Sequence, residues 1–241
     1  MSNSSSVDHL RVEVTVFNTF SFLGVLSLAL VAAAAHFSPT VHRSELWFRH
    51  IFSWIVYSTV FLFLLGHQGE PSPPPFGLCL VQAALIYAVP IFPTLSAFGF
   101  VADLYIGLSA SVYGKRKIRP ALTKILITLP QIVFLGVFIE ALVLVHDPGV
   151  VGLEASHLYC HVTTSEQSLI SGGIIVATGL LIVPLEIWIA VVLYRNWSTF
   201  RSSSGTDLQF VTMFIHMTEL VGFHRMLDDQ FSGSKEHWRL Q

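Results

Sequence analysis

Residues 76–102 read FGLCLVQAALIYAVPIFPTLSAFGFVA and stop against Asp103. No charge interrupts the run. A helix through it rises about 1.5 Å per residue against a hydrocarbon core of roughly 30 Å, so it is long enough to cross a bilayer. Four other stretches meet the same demand: Thr15 to Phe37, Trp47 to Gly66, Ala121 to Val145 and Ser168 to Tyr194, with the quoted run continuing to about Ala110. The expected fold is all-α, a bundle of five membrane-spanning helices. Composition agrees, because 53% of the 241 residues are apolar and only 12% are charged, against about 25% charged in soluble domains. A formal charge of −2 leaves no basic excess for nucleic acid. Two cysteines exclude a disulfide-dense scaffold and a four-cysteine zinc site, leaving one bridge or two thiols.

The first span is not read as a signal peptide. Its apolar run exceeds the ~7 to 15 residues of a signal core, and its head carries Asp8 and Glu13. Charge between the spans alternates. Arg43 and Arg49 fall in the first loop, Lys115, Arg116, Lys117, Arg119 and Lys124 in the third, and Arg195 and Arg201 after the fifth span, whereas the second and fourth loops hold no lysine or arginine. The positive-inside rule then places the basic segments in the cytoplasm and residues 1–14 outside, where Asn3-Ser4-Ser5 is a candidate glycosylation sequon. Residues 195–241 form a cytoplasmic tail in which Phe210, Met213, Phe214, Met217, Leu220 and Val221 have amphipathic spacing. That predicts a surface helix over about 208–227; a vestigial sixth span is the competing reading.

Few residues inside the spans can carry chemistry. Asp103, with Tyr105 two residues on, lies at the inner end of the third span, either solvated near Lys115 and Arg116 or acting as a switch. Glu140 sits shallowly in the fourth span, where interfacial solvation competes with a ligand contact. Glu186 lies deeper in the fifth and is expected to be buried in the bundle. Pro90, Pro93 and Pro184 are candidate kinks, since each removes a backbone donor. No H-E-x-x-H, G-x-S-x-G or phosphate-binding glycine loop is present. His157, Cys160 and His161 lack a fourth metal ligand. No enzyme activity, metal or cofactor is expected, and the bilayer is the first partner.

Cys79 at the outer start of the third span, Cys160 in the outer loop before the fifth, the basic inner loops and Pro184 late in the fifth helix together resemble the first five helices of a rhodopsin-like G-protein-coupled receptor. Asp103-Leu104-Tyr105 resembles the family's Asp/Glu-Arg-Tyr motif, with Leu104 where the family has arginine. Residues 74–88, PPFGLCLVQAALIYA, and Leu193-Tyr194-Arg195-Asn196-Trp197 resemble receptor-like multi-pass proteins of mushroom-forming fungi over roughly residues 10 to 200. The resemblance implies ligand sensing at the plasma membrane, a small extracellular or intramembrane ligand, a G protein or other membrane protein as partner, and a chain truncated after its fifth helix. A small transporter or channel using Asp103, Glu140 and Glu186, or a non-signalling membrane partner protein, are the alternatives. The topology sets both cysteines in the oxidising outer compartment, where a Cys79–Cys160 bridge is the expected state.

Overall fold

The computed structural model describes residues 3–39, 43–68, 74–114, 120–144, 150–154, 158–162 and 165–196. Six helices account for nearly all of them: α1 (Asn3–Phe37), α2 (Glu45–Phe61), α3 (Phe76–Ala88), α4 (Ile91–Tyr113), α5 (Pro120–Leu144) and α6 (Ser165–Arg195), with strands β1 (Val151–Leu153) and β2 (Cys160–Val162) between α5 and α6. Among the described residues, five spans are long and apolar enough to cross a membrane, α3 and α4 together forming the third. The all-α bundle read from hydropathy is therefore the architecture found.

Three boundaries differ from expectation. The first helix begins at Asn3 rather than Thr15, so much of the proposed extracellular terminus is helical. The third span is two helices, because Pro90 has no N–H to give and its ring excludes the carbonyl of the preceding turn; α3 closes with Val89 N donating to Leu85 O at 2.8 Å, and α4 restarts with Phe92 N donating to Val89 O at 3.2 Å. Pro93 falls in the first turn of α4, where no intrahelical donor is lost. Pro184 lies inside α6 and Pro130 inside α5, each within a continuous helix. The fourth loop, expected to be irregular, contains an antiparallel hairpin pairing Val151 with Val162, Gly152 with His161 and Leu153 with Cys160.

The chain divides into two units, residues 1–186 and 187–241. In the first, α2 packs on α1 and on α4, α5 packs on α3 and α4, and β2 packs on α3. Aromatic rings mark these contacts: Phe17 meets Phe61 edge-on at 5.6 Å between α1 and α2, and Phe92 stacks on Phe134 at 5.4 Å between α4 and α5. At Gly99 the backbones of α4 and α5 come so near that an added Cβ would lie 3.2 Å from Leu126 O. Gly114 ends α4 in the left-handed conformation with φ 62°, which only glycine adopts at no steric cost. In the second unit, residues 187–196 are described, and Ile189 and Val192 are buried there.

Exposure is inverted relative to a soluble protein. Phe20, Ile132 and Leu169 are 72%, 65% and 72% exposed, while Ser53 and Gln82 are fully buried. No described α1 side chain is buried. Apolar surface on this scale is costly in water and costs nothing in hydrocarbon, so the chain is an integral membrane bundle. The amphipathic segment at 208–227 and the loop residues Lys115, Arg116, Lys117 and Arg119 lie outside the described residues.

Candidate functional site

The most elaborately built part of the molecule is the end where the hairpin sits. Cys79, in the first turn of α3, is bridged to Cys160 at the start of β2, with their Cα atoms 5.3 Å apart. The bridge is thus formed, and Cys160 drops out of any metal set. Around it Leu64, Ala83 and Val162 close a small apolar core, with Val151 and Leu153 packed against it. The hairpin's backbone is then tied to helices by side chains. Cys160 N donates to Gln82 Oε1 at 2.8 Å, Tyr87 OH donates to Val162 O at 3.1 Å, and Gln68 Nε2 donates to Leu158 O at 2.7 Å. Gln68 Oε1 in turn accepts from Asn18 Nδ2 at 2.6 Å, which brings α1 into the same network. A two-stranded ribbon has little stability alone; here its two end rows are anchored from outside, Val151–Val162 through Tyr87 and Leu153–Cys160 through Gln82.

Partial burial pushes the Tyr159 phenol above its usual range, and the charges of Glu154 and Tyr87 push it further the same way. Among the described residues no group of three or more histidine, cysteine or carboxylate side chains could hold a metal ion.

Hydrogen-bonding capacity at this end is left over. Gln82 is fully buried and its Oε1 is used, but Nε2 has no partner; Gln167 and Ser171 on α6 are buried with Nε2, Oε1 and Oγ unpaired, and so is His161 Nδ1. Being neutral, these amides do not show in the charge pattern of the spans. The signal was present in Gln82, a lone amide within the uncharged run of the third span.

The opposite end is built differently. Ser44 caps α2 by accepting from Trp47 N at 3.3 Å, and its hydroxyl also bonds the Asp103 carboxylate of α4. Asp103 is thus tied to the start of α2; Lys115 and Arg116, the partners first considered, lie outside the described residues. Arg43 lies over the Trp47 ring at 5.6 Å, a cation–π distance. Tyr105 is half-buried on α4. Farther in, His50 is buried, accepts from Trp54 Nε1 at 3.2 Å on Nε2 and stacks on Phe100 with planes 5° apart. An accepting Nε2 puts the imidazole proton on Nδ1.

Asp103, Glu140 and Glu186 are distributed over α4, α5 and α6. Glu140 is half-buried. Glu186 is exposed, contrary to the expectation that it is buried in the bundle. The reason is angular. The inward stripe of α6 runs through Gln167, Ser171, Ile174 and Thr178, and at 100° per residue Glu186 falls about a quarter-turn off it.

No protein-family model matches the chain, and no curated protein matches its sequence.

Proposed function

We propose that this bundle is a receptor-like, non-catalytic protein of the plasma membrane, with its N-terminus and the β1–β2 hairpin outside and its basic loops in the cytoplasm. The observation that carries the reading is the Cys79–Cys160 bridge. Disulfides persist on the oxidising side of a membrane, and this one closes at the end whose loops hold no lysine or arginine, so two independent physical rules assign the same side. On this reading the hairpin end takes a small ligand and the α2–α4 end, with Asp103 and Ser44, faces cytoplasmic partners such as a G protein. Leu104 stands where the rhodopsin-like family has the arginine of its inner-face switch, which counts against that family's standard G-protein activation. The likeness to mushroom-type receptor-like proteins supports the proposal through the quoted residues 74–88 and 193–197.

The test is topology. Glycosylation sites or protease sites engineered into the loop between Ser111 and Lys124 are expected to report a cytoplasmic location; an outside location overturns the reading. A transporter gains no support, since Asp103 is occupied by Ser44 and Glu186 lies off the inward stripe of α6.

A further inference from the structure

The face of α6 that turns into the bundle carries polar atoms with nothing to bond. Gln167 is 1% exposed and Ser171 is 6% exposed, yet Gln167 Nε2, Gln167 Oε1 and Ser171 Oγ have no hydrogen-bond partner. The two residues are one turn apart, which sets their Cβ atoms about 5–6 Å from each other on one face. Their direction is fixed by the next residue on the stripe, Ile174, which packs against the cluster of Ala88, Ile91 and Val137. Thr178, a turn deeper, shows the local escape open to a hydroxyl: its Oγ1 donates back to Ile174 O at 2.7 Å. Ser171 does not take that route, and a glutamine has none.

A third unpaired donor lies on α3, toward the same hairpin end. From the Ala88–Ile174 level, Gln82 lies six residues toward the hairpin on α3 and Gln167 seven residues on α6, rises of about 9 and 10 Å. Gln82 Oε1 is committed to Cys160 N, leaving Nε2 free. Buried polar atoms in a bilayer are satisfied by protein, water or ligand. The stripe of Gln167, Ser171, Ile174 and Thr178 holds no charge, so an ion placed there would be desolvated without a counter-charge. An amide offers one donor and one acceptor side by side, and its complement is a group that does the same.

We propose that Gln167 and Ser171, with Gln82 Nε2, bind the polar edge of a small neutral molecule, a carboxamide or an alcohol on an apolar body, and discriminate against cations and anions. The biological meaning rests on the receptor-like reading; the binding chemistry is tested apart from it. The full chain in nanodiscs would be titrated with benzamide, with methyl benzoate, which accepts but cannot donate, and with benzylamine, which is an ammonium ion at neutral pH. Benzamide is expected to bind and to raise the melting temperature, methyl benzoate to bind at least tenfold more weakly, and benzylamine not to bind. Gln167→Leu is expected to weaken benzamide at least tenfold and Ser171→Ala at least threefold. Without ligand, Gln167→Leu is expected to melt at or above the parent's temperature, because it removes unpaired polar atoms and keeps the volume. No benzamide binding to the parent, equal binding to Gln167→Leu, equal binding of benzylamine, or a lower melting temperature for unliganded Gln167→Leu would each overturn the proposal. Failure here with the Ser111–Lys124 loop mapped to the cytoplasm removes the ligand class alone; that loop mapped outside removes the receptor reading whatever benzamide does.

Discussion

The two ends of the bundle are stabilised by interactions of different range. At the hairpin end, side-chain hydrogen bonds join residues 75, 78 and 90 positions apart, and a disulfide joins residues 81 apart. At the other end most described interactions are local: Ser44 with Trp47, Arg49 with Glu45 four residues earlier, and Arg43 with Trp47. Asp103 bonded to Ser44 and Phe100 stacked on His50 are long-range exceptions. A helix needs only neighbours in sequence to satisfy its backbone, whereas a hairpin over helix ends must find its partners elsewhere. Long-range ties therefore concentrate where the chain leaves helical geometry.

Substitutions can break or sharpen that contrast. The largest effect is expected from the bridge. Cys79→Ser or Cys160→Ser releases a loop of 81 residues, for which chain entropy gives about 4 to 5 kcal/mol, an upper bound because the bilayer already restrains the unfolded helices. Thermal melting in detergent should fall steeply for both variants and equally. Equal melting of parent and variants would mean that the hairpin end is not held by its covalent tie.

Next comes Gln82→Met, which keeps the volume and removes the acceptor of Cys160 N. A buried donor left unpaired costs about 1–3 kcal/mol, and hydrogen exchange should quicken at β2 while the amides of α2 stay protected. Exchange quickening equally at both ends would erase the contrast. At the opposite end, Ser44→Ala removes an N-cap and the Asp103 partner together. Caps are worth about 1 kcal/mol, so a drop of one to two kcal/mol is expected, with exchange rising in the first turn of α2. The smallest effect is expected from Arg49→Ala. Its pair with Glu45 is 3.4 Å long with both side chains largely exposed, and such i,i+4 pairs contribute about 0.3–0.5 kcal/mol. A larger loss would show that the local end depends on an interaction other than the pair.

Much of this was readable before any coordinates. The five spans follow from hydropathy and the bridge from the sidedness of charge; Pro90 was expected to kink the third span, and the break into two helices goes further than that. The reading failed at particular places for particular reasons. Glu186 was placed inward because carboxylates in a membrane are costly, but the azimuth of a helix depends on which neighbours it packs against, and α6 turns its Gln167–Thr178 stripe inward instead. The hairpin was missed because Val151–Leu153 and Cys160–Val162 are each only three residues long, too short for periodicity to distinguish from loop. Gln82 and Gln167 are neutral, so charge gives no signal of them.

Spanning segments are set by a sum over local side chains, each transferred to hydrocarbon almost independently of its neighbours, so residue order was enough to place them. The same holds for which loops are basic. Which amides face inward, where Asp103 finds Ser44, and how Gln82 and Gln68 come to hold a strand some 80 to 90 residues away were decided by packing. Hydrogen bonds require donor and acceptor within about 3 Å, and over such separations no local rule in the chain specifies that meeting; the helices had to be set side by side first.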